Sequence, residues 1–172
     1  GMIDTHVHVA NASDMGRISG LGLQMVAAAG ATTVIDLGGS METLVAGVAA
    51  RGSGVNVGSL GYLKPGETVP EGRLSPDVVD KIVERALEAG SLGIKLWGGY
   101  YPFTTDETAR FISTANKMAA YVAFHVGTTG TGSRLDGLRE IPAILGNTGR
   151  LHIAHINAYT RGSILSIEEE IH

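Results

Sequence analysis

The stretch "SPDVVDKIVERALEAGSLGIKLWGG", Ser75 to Gly99, holds a helix pattern followed at once by a strand pattern. Ser75 is a favoured N-cap, and Pro76 suits the first helical position, where an N–H has no partner to lose. Val78, Val79, Ile82, Val83, Ala86 and Leu87 form one apolar stripe, and Gly90 is a natural stop. The run "LGIKLWG", 92–98, is short, apolar and bounded by glycine, which reads as a buried strand. A helix returning directly into a buried strand is the repeating unit of a parallel α/β sheet.

The same alternation extends in both directions. Strand-like runs occur at 2–9, 32–38, 55–63, 92–98, 120–127 and 150–157, and their starts are 30, 23, 37, 28 and 30 residues apart. That spacing fits strand-plus-helix units and not hairpins. Ser40 caps a helix pattern beginning "METLV", and Thr104 with Glu107 makes a capping box for the next. A weaker helix is expected over 134–147, where Pro142 should start or kink it. Ser166 and Glu169 open a further one. Six βα units in series predict a parallel sheet with right-handed crossovers. An open doubly wound sheet and a partial TIM-like (β/α) barrel both satisfy that pattern, and a full barrel needs eight units.

Composition narrows the function classes. The 172 residues are 44% hydrophobic and 17% charged, suited to one globular domain. A formal net charge of −4 with no basic run gives no support for nucleic-acid binding. No apolar run is long enough to span a bilayer and no secretory signal is visible, so no membrane association and a cytoplasmic location are expected. The chain has no cysteine, so any bound metal must be held by nitrogen and oxygen.

The polar residues of the strands are unusual. Asp4, His6 and His8 in "MIDTHVH" are spaced by two, which places them on one face of a regular strand. Lys95 lies in the fourth strand, His125 in the fifth, and His152 and His155 in the sixth. These lie at or toward the C-terminal ends of strands, where parallel sheets and barrels build their sites. His152 stands three residues before His155, so on a regular strand it faces away and reads as structural. Lys95 among Ile94, Leu96 and Trp97 is disfavoured as a cation by burial. A neutral amine there can take up carbon dioxide to become a carbamate, an anion with two oxygens.

Taken in order, "MIDTHVH", "GIKLW", "AFHVG" and "LHIAHIN" resemble the strand signatures of the amidohydrolase superfamily, in the branch of D-amino-acid deacylases, hydantoinases and dihydroorotases. The resemblance implies a distorted TIM-like barrel and two divalent metal ions, zinc being the commonest fit. It implies that His6 and His8 bind the buried metal, that carbamylated Lys95 bridges, and that His125 and His155 bind the exposed metal. The implied activity is hydrolysis of an amide or cyclic amide C–N bond in a small-molecule substrate. Tyr100 (with Tyr101 beside it in "GGYYPF"), Asn157 and Arg161 are candidates for substrate contact, Asp4 for orienting a histidine, and Asp36 for contacting a metal or capping a turn.

Against the family pattern, residues 1–172 read as one incomplete barrel domain without the last two βα units and the N-terminal β-domain. No residue can then be assigned as the family's strand-eight aspartate, and impaired activity and a homo-oligomer covering the open flank are expected. A non-catalytic scaffold or interaction protein on the same fold is the alternative.

Overall fold

The computed structural model describes residues 1–9, 19–146 and 149–159. Strands β1 (Met2–Val7), β2 (Ala31–Asp36), β3 (Asn56–Ser59), β4 (Gly61–Tyr62), β5 (Gly93–Trp97), β6 (Tyr121–His125) and β7 (His152–Ile153) alternate with helices α1 (Ser19–Ala28), α2 (Met41–Arg51), α3 (Pro76–Glu88), α4 (Thr105–Lys117) and α5 (Leu135–Leu145). Every strand pairing is parallel, in the orders β1-β2-β3 and β4-β5-β6-β7. The fold is a partial barrel of the TIM type, one of the two architectures that the βα spacing allows. No described helix is long and apolar enough to cross a membrane.

One expected strand, 55–63, is divided. Its first part pairs with β2 and its second with β5, with the break at Leu60. Backbone bonding carries across the break: Leu60 N donates to Asp36 O at 3.1 Å, and Leu92 N donates to Ser59 O at 2.9 Å. A strand with neighbours on both sides of a strongly curved sheet must twist between them, and the division at Leu60 is that twist.

Capping follows the sequence closely. Ser40 accepts from Thr43 N, and Thr104 and Glu107 form the reciprocal capping box, while Ser75 makes no side-chain cap bond. Gly90, at φ 96°, supplies the left-handed residue that ends α3. Pro142 neither starts nor ends α5 but lies inside it, near its C-terminal end. The helix expected to open at Ser166 lies outside the described residues.

Alternate strand residues feed two layers. Ile94, Leu96, Val122, Phe124 and Val126 face outward into a core with Val79, Val83, Phe111, Ile112 and Ala115 of the helices. Leu37, Leu60 and Ala123, with Ile35 and Tyr121 against them, fill the inside of the curve. This inner layer supports the residues nearer the strands' C-terminal ends, where the polar side chains gather.

Candidate functional site

A cavity of about 370 Å³ is lined by His6, His8, Lys95, Trp97, Tyr100, His125, His155 and Ala158. The structure thus brings together six of the sequence-derived candidates. Asn157 is exposed on the 3₁₀ turn Ile156–Ala158 and is not among the lining residues. Arg161 lies outside the described residues.

The imidazoles meet in two pairs. His6 Nε2 and His8 Nε2 are 3.2 Å apart, and His125 Nδ1 and His155 Nε2 are also 3.2 Å apart. His6 joins the pairs, its ring centroid 5.1 Å from that of His155. Among the described residues no three His, Asp or Glu side chains form a group able to hold an ion by themselves.

β1 does not keep the simple alternation of a regular strand. Its register with β2 shifts between Asp4 and Val7. Asp4 Oδ1 accepts the backbone N–H of His6 at 3.1 Å, so it shapes the backbone locally. His8 lies just past the strand's end, and Asp36 fixes that end: its carboxylate accepts Val9 N and Gly38 N, each at 2.8 Å. Asp36 therefore caps the turn. Gly38 leaves room for the ring, since a Cβ there would lie 3.0 Å from His8 Nδ1.

The expected opposition of His152 and His155 does not hold. β7 ends at Ile153, and His155 adopts the left-handed conformation, φ 33° and ψ 67°. That bend turns the later ring back, so both rings approach His6, His152 at 6.2 Å between centroids. A non-glycine residue in this region is strained, and such strain gathers at functional sites. His152 itself is tied to Tyr121, whose hydroxyl is 2.6 Å from His152 Nδ1.

Electrostatically the site favours neutral nitrogen. Burial, with the Lys95 charge second, holds His6 down to about 3. His125 is held to about 4 by burial and then by His155 and Lys95. Burial also lowers His8, opposed by the Asp36 carboxylate, and lowers His152. These rings are neutral at pH 7, with lone pairs free for coordination. Lys95 is 2% exposed, and its Nζ has no hydrogen-bond partner among the described residues. Burial brings it down to about 8, so about a tenth of the amine is neutral at pH 7. Among the described residues Trp97 Nε1, two residues on, is the other buried side-chain donor without a partner.

No protein-family model matches the chain, and no curated protein matches it in sequence. Solved structures do match. An N-acyl-D-glutamate deacylase from Bordetella bronchiseptica, complexed with zinc and a phosphonate inhibitor, aligns at TM-score 0.56 and 17% identity, over 84% of this chain and 37% of its own. A Xaa-Pro dipeptidase with bound methionine in its active site aligns at 0.54 and 17%, over 84% and 46%. A D-hydantoinase aligns at 0.50 and 22%, over 86% and 33%. The chain shares the fold of these structures. It spans less than half the length of each of these structures.

Within the barrel, two side chains with no motif of their own support the site. Tyr159 is buried, and its hydroxyl accepts Val126 N at 2.9 Å and donates to Ala154 O at 2.6 Å. Its ring lies 5.6 Å from that of His125 and 6.0 Å from that of His155. Ser133 Oγ is 2.7 Å from His125 Nε2. Both follow histidine strands within a few residues, which is the only signal the sequence offers. Tyr100 is 66% exposed, and its ring is 5.5 Å from His125 at the cavity mouth.

Proposed function

We propose that the chain carries the metal-binding core of an amidohydrolase that cleaves an amide or cyclic amide C–N bond in a small molecule. The observation that carries this reading is the pairing of His6 with His8 and of His125 with His155 around a buried lysine that has no hydrogen-bond partner among the described residues. Two nitrogens each about 2.0–2.1 Å from a tetrahedral zinc are about 3.3 Å apart. Both imidazole pairs, at 3.2 Å, have that bite. The buried Nζ of Lys95 fits the same reading. An ammonium beside a divalent ion is repelled, whereas the neutral amine adds to carbon dioxide, forms the N–C bond and releases a proton to solvent. The product is a carbamate with two oxygen donors.

On this reading His6 and His8 hold one ion, His125 and His155 the second, and carbamylated Lys95 stands between. Bound there, divalent ions supply a water of lowered pKa and a Lewis acid for the carbonyl oxygen. The chain's own residues do the rest. Asp36 and Gly38 hold the His8 end of β1, and the bend at His155 presents that ring from the opposite side. Burial keeps the His6, His8 and His125 rings unprotonated, so ligation displaces no proton from them at neutral pH. Trp97 and Tyr100 wall the cavity, and the Tyr100 hydroxyl can donate to an acyl oxygen or carboxylate of the substrate. The deacylase and hydantoinase neighbours support N-acyl amino acids and hydantoins as the first substrates to try.

The experiment is metal analysis after reconstitution with zinc and bicarbonate, followed by hydrolysis of those two substrate classes. About two zinc per chain is expected, falling to one or none in Lys95→Ala. Full zinc content in Lys95→Ala would exclude the carbamate-bridged site.

A further inference from the structure

The segment "GTTGTGS", Gly127–Ser133, follows His125 and resembles a mobile glycine loop in sequence, yet it is tied down at both ends. Glu140 of α5 holds one part of it. Glu140 Oε2 accepts Thr128 Oγ1 at 2.9 Å and Thr131 Oγ1 at 2.8 Å, while Oε1 accepts Thr105 Oγ1 of α4 at 3.3 Å. Thr128 is 1% exposed. Gly132 N donates to Thr128 O at 2.8 Å, and Gly132 takes φ 59°, a conformation that suits glycine. The turn therefore closes on itself and delivers Ser133 to a fixed place.

That place is the far nitrogen of His125. Nδ1 faces His155 and Nε2 faces the Ser133 hydroxyl at 2.7 Å. A neutral imidazole carries one ring proton, so whichever nitrogen is protonated leaves the other as the donor to a metal. Gly99 keeps the approach tight: a Cβ there would lie 2.4 Å from His125 Nε2 and 3.1 Å from Ser133 Cβ.

We infer that Ser133 is a positioning residue. It accepts the Nε2–H of His125 and so turns the Nδ1 lone pair toward His155, and Glu140 holds Ser133 there through Thr128 and Thr131. The inference rests on the metal reading above and adds what fixes one of its ligands. Partners of this kind typically contribute 10–100-fold to metal affinity.

The test is zinc affinity of the full chain by chelator competition, for the native protein, Ser133→Ala and Ser133→Thr, with zinc ion alone as the probe. Ser133→Ala should weaken one site by about 10–100-fold, and Ser133→Thr, which keeps the acceptor oxygen, should restore most of the loss. Glu140→Ala should weaken the same site by less. Native affinity in Ser133→Ala, or an equal loss in Ser133→Thr, overturns the inference. Histidine-ring nitrogen NMR of the metal-free chain gives a readout that needs no metal. His125 should carry its proton on Nε2 in the native chain and divide it between both nitrogens in Ser133→Ala. A ring spectrum unchanged by that substitution also overturns the inference. If the native chain takes up no zinc, the metal reading fails, and the ring spectrum still decides the role of Ser133.

Discussion

The two halves of the barrel hold the candidate ligands by different means. β4–β7 with α3, α4 and α5 share a large outer core centred on Phe111, Phe124, Ile94 and Leu96. β1–β3 with α1 and α2 rest on a small one, Val7, Leu23, Ala31, Val34 and Leu44. α3, α4 and α5 each bury one stripe and leave charged residues outside. α1, "SGLGLQMVAA", has no charged residue, and Leu21 and Met25 are 62% and 64% exposed. Lys95, His125 and His155 therefore stand on the firmly packed half, and His6 and His8 on the lightly packed one. Stability concentrates where buried apolar contacts are dense. The β1 pair should accordingly be the first part of the site to open.

The largest test of that contrast is a matched pair of core truncations. Phe111, fully buried and 5.0 Å from the Phe103 ring, should cost about 3–5 kcal/mol as Phe111→Ala. Leu44→Ala in the small core should fall at the lower end of about 2–5 kcal/mol. Urea unfolding measures both, and a greater loss for Leu44→Ala would reverse the ranking of the halves.

A smaller effect tests how the packed half holds its histidines. Tyr159→Phe leaves the ring in place but strips Val126 N and Ala154 O of their partner. Leaving buried backbone groups unsatisfied should cost about 1–3 kcal/mol in urea unfolding. Because Ala154 precedes the strained His155, the same variant should loosen zinc at the His125 site. An unchanged affinity would separate that strain from Tyr159.

The contrast also explains what the sequence made legible. The α3 and α4 helices were readable because amphipathic spacing and the Thr104–Glu107 capping box state them locally. The α1 helix was not, since its residues are apolar or small all round and show no stripe. That His6, His8, Lys95, His125 and His155 line one cavity was readable because strand ends converge on one side of a parallel sheet. The direction of His155 was not, because it depends on a left-handed bend that spacing cannot encode. Ser133 and Glu140 were invisible for a different reason: their roles come from a turn that brings together residues with no periodic relation. The division at Leu60 is likewise a product of closure around the curve, which no single strand pattern records.

A change at the centre of the site should act oppositely on stability and on metal uptake. Lys95→Met replaces a buried amine that has no partner among the described residues by an apolar chain of similar length. Removing that uncompensated group should stabilise the metal-free chain by about 1 kcal/mol while lowering zinc content. A destabilised Lys95→Met would mean that the amine has a partner in solution.

The effects of pH separate the two kinds of buried nitrogen. His6 and His125 are held to about 3 and about 4, below the 6.5 expected in the unfolded chain. Between those values and 6.5 the unfolded chain binds more protons, so the metal-free fold should lose stability as pH falls from 6.5 toward 4. Lys95, held at about 8 against 10.5, gives the same sign in a higher window, and stability should rise from pH 8 toward 9.5. Tyr121 and Tyr159 are raised by burial, so their contribution is lost only above their ordinary value near 10 and opposes the rise there. Urea midpoints across pH 5–9.5 should show both limbs. Lys95→Met should remove the upper limb and leave an acid limb set by the histidines. Because His6 stands on the lightly packed half, opening of β1 relieves its burial without unfolding the rest. Amide protection factors in β1, which are corrected for the slower intrinsic exchange in acid, should therefore fall with acid before those in β6 do, and an equal fall in both strands would mean that the two halves open together.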